Sequence, residues 1–313
     1  MLHLRVISPT GLTDGVLELL RAEPGATHLT VHRGAALRPC GDVVEADLAR
    51  ECTDHVLSEL SRRGVDRDGG ITLESIDTTL SLSANRASDA APGEASDAVI
   101  WEELIARTGE ESRLNATFLA FLTLACLIAA VGVVTNSPVT VVGAMVVGPE
   151  FGPLAGLAVN LVRRRFDLAR RSTLAIVVGF PVAMLATAGG ALLAEAFGLV
   201  TLGTLNRADQ VDFIYQVGPF SLVVALLAGA AGMLSLVSAK SAALVGVFIS
   251  VTTVPAAGYA VIAATLGQWE IALESAAQLV VNLVGIVAAA VGVLLLRRRP
   301  RRQPGSGNAA PWR

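Results

Sequence analysis

The sequence predicts a polytopic α-helical membrane protein of about six spans, preceded by a small α+β domain of ferredoxin-like order. Three observations predict it. First, 53% of the 313 residues are hydrophobic, only 16% are charged, and mean hydropathy is +0.60; a soluble chain carries about 25% charged residues. Second, the deficit is local: residues 1–113 have a net charge of −9, whereas the remainder is apolar with a net charge of +6. Third, the acidic part alternates like short strands and helices, while the apolar part divides into stretches of about 20 residues or more, the length that crosses a bilayer.

In the acidic part, residues 2–7 alternate like a strand and residues 12–22 place Val16, Leu19 and Leu20 at helical spacing. Strands at 26–32 and 42–47, a helix at 49–63 and a strand at 71–77 complete βαββαβ, the order of a ferredoxin-like sandwich over residues 1–82. His28 and His32 lie four apart in a strand, hence on one face; the spacing suits a metal pair or two solvated histidines, and places no third ligand. Residues 83–97 are small, polar and aperiodic, which predicts a flexible linker. Residues 98–113 return to helical spacing, with Trp101, Leu104, Ile105 and Thr108 on one stripe and an acidic remainder. This is an amphipathic helix that packs on protein or couples the first domain to the first span.

Spans are predicted at 114–135, 139–162, 172–196, 217–238, 241–266 and 275–296, within a membrane domain of residues 114–297. A basic tail of residues 298–313 follows. Arg163, Arg164, Arg165, Arg170 and Arg171 fall between spans two and three, Lys240 between four and five, and Arg297 to Arg302 after six. Cytoplasmic loops carry the excess of Lys and Arg, so both termini are expected in the cytoplasm of a cell bearing this protein in its inner or plasma membrane.

Other classes are disfavoured. Cys40, Cys52 and Cys126 form no spaced pair that reads as a zinc or redox motif. The first residues have neither a basic n-region nor an apolar h-region, so no secretory signal is expected. The acidic first part argues against nucleic acid. There is no P-loop, no His-Glu-x-x-His and no Gly-x-Ser-x-Gly; neither catalysis nor a cofactor or metal is expected.

The most informative residue is Glu150, the only charge between residues 114 and 162. An ionisable group within a span is costly and marks a functional site by default. It lies between Pro149 and Pro153 and beside Gly148 and Gly152, where helix breaking frees backbone groups that lipid cannot satisfy. A weak internal repeat at an offset of 102–103 residues sets Glu150 against Thr252 or Thr253, Pro153 against Pro255 and Ser137 against Lys240. Three spans per copy make it an inverted three-plus-three repeat, the arrangement in which two broken helices meet at a transporter's central site. The expected ion- or substrate-binding set is therefore Glu150, Pro149, Pro153, Gly148, Gly152, Asn136, Ser137, Ser250, Thr252, Thr253 and Pro255. Asn160 and Asn282 are further polar residues in spans, for which helix packing is the simpler role.

Trp101-Glu-Glu-Leu, Ile128-Ala-Ala-Val-Gly132, Thr135-Asn-Ser-Pro138 and Gly143-Ala-Met-x-x-x-Pro149-x-x-Gly-Pro153 resemble a bacterial family of hydrophobic integral membrane proteins, domain of unknown function 389. The resemblance is strongest over 98–165 and implies a small cytosolic domain ahead of the spans. Many members have small or apolar residues where this chain has Gly148 and Glu150, and the family implies no particular activity. Two readings of function stand. In one, the chain is a transporter or channel-like protein in the lipid bilayer that moves a small solute, proton or cation. In the other, it is a non-transporting sensor or scaffold whose first domain binds a ligand or partner. A homo-oligomer is expected in either case.

Overall fold

The computed structural model describes residues 1–76, 78–92, 99–201, 218–238 and 252–297. The chain forms two compact units, the first made chiefly of Met1–Ala106 and the second chiefly of the residues from Arg107 onward.

In the first unit, strand β1 (Leu2–Ser8) buries Leu2, Leu4, Val6 and Ser8 and turns Arg5 outward, as a period of two requires. It pairs antiparallel with β3 (Cys40–Leu48) and β4 (Gly70–Ser75), and β3 pairs with β2 (Ala26–Leu37), giving the order β2-β3-β1-β4. Helix α1 (Thr13–Ala22) contributes Val16, Leu17 and Leu20, and α2 (Arg50–Arg62) contributes Cys52, Val56, Leu57 and Leu60, to one core with Leu4, Val6, Val44 and Leu48. A short helix α3 (Val65–Asp68) leads into β4.

One departure from the sequence reading concerns the linker expected at 83–97. Leu82–Ala90 is instead a helix, α4, started by Ser81, whose Oγ accepts the Ala84 N–H at 3.3 Å, and buried through Ala84 and Ala87. Its small residues read as linker by composition, yet alanine is the best helix former. Residues 93–97 of that linker lie outside the described residues.

Helix α5 (Trp101–Glu111) crosses the boundary between the units. The second unit then holds α6 (Ala116–Val134), α7 (Pro138–Val147), α8 (Phe151–Val162), α9 (Phe166–Ala196), α10 (Pro219–Val237), α11 (Thr253–Thr265) and α12 (Trp269–Arg297). Four of these are long and apolar enough to cross a membrane, α6, α9, α10 and α12; the pair α7 and α8, bent by 50° at its break, makes up to five. Helix α11 is apolar but only 13 residues long. The span expected at 241–266 is described only from Thr252, and Lys240 and the basic tail from residue 298 lie outside the described residues.

Helix α9 begins at Phe166 rather than at 172, and α12 at Trp269 rather than at 275. Asp167, Arg170 and Arg171, like Glu270 and Glu274, end an apolar span without ending a helix, because charged residues lose little in helix propensity. Helix α11 lies against α6: a Cβ on Gly258 would meet the Ala130 backbone nitrogen at 3.0 Å and the Cys126 carbonyl oxygen at 3.1 Å. This close approach fixes the height at which the start of α11 meets the break between α7 and α8.

A buried carboxyl where two helices begin

The break between α7 and α8 has a local cause. Gly148 takes an extended conformation (φ −63°, ψ 127°) after Val147, and Pro149 supplies no N–H with which to carry the helix on. Glu150 is the N-cap of α8. Pro153 lies in the first turn of α8, and Pro255 in the first turn of α11, where no intrahelical donor is needed. The break therefore comes from Gly148 and Pro149 alone; Pro153 starts the next helix.

Glu150 is 7% exposed. The Thr253 hydroxyl, in the first turn of α11, donates to Glu150 Oε1 at 2.5 Å, and Glu150 Oε2 has no hydrogen-bond partner among the described residues. The carboxyl thus lies at two helix N-termini, whose partial positive charge favours a negative group. Full pairing is still lacking. A buried carboxyl so placed is held neutral by a proton or balanced by a cation.

The polar contacts continue. Asn282 Nδ2 on α12 donates to Thr252 Oγ1 at 3.0 Å, and Gln278 Nε2 donates to Asn282 Oδ1 at 3.2 Å. Gln278, Asn282 and Ser275 are all buried, and Gln278 Oε1 and Ser275 Oγ, like Asn160 Oδ1 on α8, have no partner among the described residues. Asn282 is therefore part of the site rather than plain packing. Gln278 and Ser275 were missed in the sequence. Their signal was the spacing of three polar residues at i, i+3 and i+7 in an otherwise apolar helix.

Of the expected set, the fold brings Gly148, Pro149, Glu150, Thr252 and Thr253 together, with Pro153 and Pro255 in the adjoining first turns. A Cβ on Gly148 would collide with Glu150 Oε2, so the carboxyl occupies the space a side chain would fill. Gly152 instead faces α5: a Cβ there would meet Glu111 Cβ at 2.6 Å. Burial pushes the Glu111 carboxyl above its ordinary value, against the pull of Arg107. Asn136 and Ser137 are not at the site. Ser137 caps α7, its Oγ accepting the Thr140 N–H at 3.3 Å, and Asn136 occupies the turn before it with φ 49°. The ten residues of α7, a rise of about 15 Å, separate them from the break. Ser250 lies outside the described residues.

A second polar cluster lies in the first unit. His3 Nδ1 bonds Asp47 Oδ1 at 2.8 Å and His28 Nδ1 bonds Asp47 Oδ2 at 2.7 Å, while His28 Nε2 meets Ser81 Oγ at 2.9 Å and Ser83 Oγ at 3.0 Å. Burial works to raise Asp47, but the two histidine hydrogen bonds outweigh it and hold the carboxyl below its usual range. The spacing had paired His28 with His32. A β-bulge between Thr27 and Thr30 takes His28 (φ 50°) out of the alternation and joins it to His3 instead.

The chain is 21% identical over 193 residues to an uncharacterized protein, MJ0678, of Methanocaldococcus jannaschii, a match covering 62% of this chain and 58% of that protein. The chain thus spans somewhat under two thirds of the length of that relative. No solved structure matches the chain. The family model described as "Domain of unknown function (DUF389)" matches residues 145–288, from the end of α7 through the polar row of α12. That is the family its motifs around the break resemble.

Proposed function

We propose that the protein is a membrane transporter or channel-like protein in which Glu150 takes up a proton or cation at the bilayer midplane. The observation that carries this reading is the buried Glu150 carboxyl itself, bonded by Thr253 across two helix starts and left with one oxygen unpartnered among the described residues. A bare carboxyl inside a span is too costly to serve as filler. Broken helices with their N-termini at a shared polar site are the arrangement of secondary transporters.

The reading extends to the architecture. Helices α8 and α11 start alike: N-cap Glu150 or Thr252, proline at the third helical position, glycine at the sixth. This supports an inverted three-plus-three repeat of six spans in which α11 completes the fifth. Arginines between α8 and α9 and after α12 support cytoplasmic termini in an inner or plasma membrane. The order βαββαβ with strands β2-β3-β1-β4 supports a ferredoxin-like regulatory domain. Assembly as a homo-oligomer, without nucleic acid and without enzymatic chemistry, belongs to the same reading.

The test is flux in proteoliposomes under an imposed pH gradient, read with an internal pH dye and a panel of monovalent cations. Glu150→Gln should abolish the pH-dependent flux while the protein keeps its size-exclusion profile. Equal flux in wild type and Glu150→Gln would remove Glu150 from the mechanism. A Glu150→Ala protein that dissociates into monomers, with no flux in either form, would favour the sensor or scaffold.

A further inference from the structure

Between Glu274 and Arg297, helix α12 is apolar except for one row. Ser275, Gln278 and Asn282 lie three and four residues apart, hence on one face, and are 0%, 2% and 2% exposed. On the same helix Leu273, Val280 and Val284 are exposed, as residues facing lipid should be. The row is tied to the carboxyl site by consecutive hydrogen bonds from Gln278 to Asn282 and from Asn282 to Thr252, whose neighbour Thr253 bonds Glu150.

Hydrogen bonding along this row is complete at its middle and incomplete at both ends. Asn282 uses both its amide nitrogen and its oxygen. Among the described residues, Gln278 Oε1 and Ser275 Oγ toward the start of α12 have no partner, and at the far end the same is true of Glu150 Oε2. Leaving a buried polar oxygen unsatisfied is costly, and hydrocarbon offers nothing to bond. Three such oxygens along one line call for partners that the described side chains do not supply. Water has the right size and valence, because buried waters typically bond about three otherwise unsatisfied groups. The start of the helix also carries Glu270 and Glu274, both exposed, which would give the mouth of such a line a negative potential that concentrates protons and cations.

We propose that Ser275, Gln278 and Asn282 line a water-filled access path running from the N-terminal end of α12 to Glu150. The path opens on the membrane face opposite the arginines that follow α12. It deepens the reading of Glu150 as the transport site and rests on it for function, but its existence is tested separately. Water, and protons relayed through it, would reach the carboxyl from that face. Asn282, with both amide groups engaged, forms the narrow point, beyond which the hydroxyls of Thr252 and Thr253 lead to Glu150.

Cysteine accessibility decides it. Ser275→Cys, Gln278→Cys, Val280→Cys and Val284→Cys are placed singly in the full chain, reconstituted in liposomes, and treated with a small water-soluble methanethiosulfonate. Modification at each site is read by peptide mass mapping, which separates it from Cys40, Cys52 and Cys126. Such reagents attack the thiolate, which forms only in water. Ser275→Cys is nearly isosteric and keeps the fold. Positions 275 and 278 should react at least about tenfold faster than 280 and 284, with 275 ahead of 278. Reaction at 275 and 278 no faster than at 284 overturns the path. Fast reaction at both, with pH-driven flux unchanged in Glu150→Gln, upholds the path and overturns the proposed role of Glu150.

Discussion

At the residue scale, the Thr253 hydroxyl is what the Glu150 carboxyl depends on. Thr253→Val keeps the shape and removes the donor, leaving a buried oxygen unsatisfied. It should cost on the order of 1–3 kcal/mol, and Thr253→Ser should restore most of it, as read by thermal unfolding in detergent. The first unit offers a pH prediction. Histidine hydrogen bonds hold Asp47 below its ordinary value, and the Gly34 N–H, with help from Thr13 and Arg33, does the same for Asp42. A carboxyl depressed in the folded state stabilises above its unfolded value, about 3.9, and that stability is lost as pH falls through the lower folded value. Acid titration from pH 5 to pH 2, followed by circular dichroism, should show a steeper loss for wild type than for Asp47→Asn. Glu150 was legible in the sequence because a lone charge in an apolar run needs a reason. The His3–Asp47–His28 cluster was not, because a β-bulge decides which histidine meets which carboxyl and alternation alone does not reveal bulges.

At the element scale, the two short helices α8 and α11 depend on close backbone contact more than on their prolines. Gly258→Ala should cost about 1–3 kcal/mol by overpacking against the α6 backbone. Pro255→Ala should cost less, because a first-turn proline gives up no hydrogen bond. Comparing the two by thermal unfolding checks the ranking; a costlier Pro255→Ala would reverse it. Element positions were legible wherever apolar periodicity was long, as in α6 and the strands of the first sheet. The ends of α9 and α12 were hidden, because membrane length was read in place of helix length and charged residues continue a helix beyond the apolar stretch. Helix α4 was hidden by its composition, since small residues serve linkers and helices alike.

At the scale of the whole molecule, the four long apolar helices and the bent pair describe a multi-pass membrane protein. The number of crossings decides where the termini lie. The six crossings proposed above would put both ends on one side and residue 207 on the other. A fluorescent protein fused after residue 297 should therefore be bright in the cytoplasm, and alkaline phosphatase fused at Arg207 should be active outside it. An inactive fusion at Arg207 beside a bright one at the C-terminus would contradict six crossings.

Gly148 carries a consequence for the order in which this site can be altered. The carboxyl of Glu150 occupies the space that a methyl group at 148 would claim, and Val254 Cγ2 would lie 2.9 Å from that methyl, so filling position 148 forces the carboxyl and Val254 to move. Gly148→Ala should cost more in the wild-type chain than once Glu150 is replaced by alanine, where only the Val254 contact remains. A pairwise mutational scan of 148 and 150, scored by folded yield, should show this as a combined cost smaller than the sum of the two. A glutamate at 150 thus narrows what position 148 can hold, and a change at one position alters the cost of a change at the other.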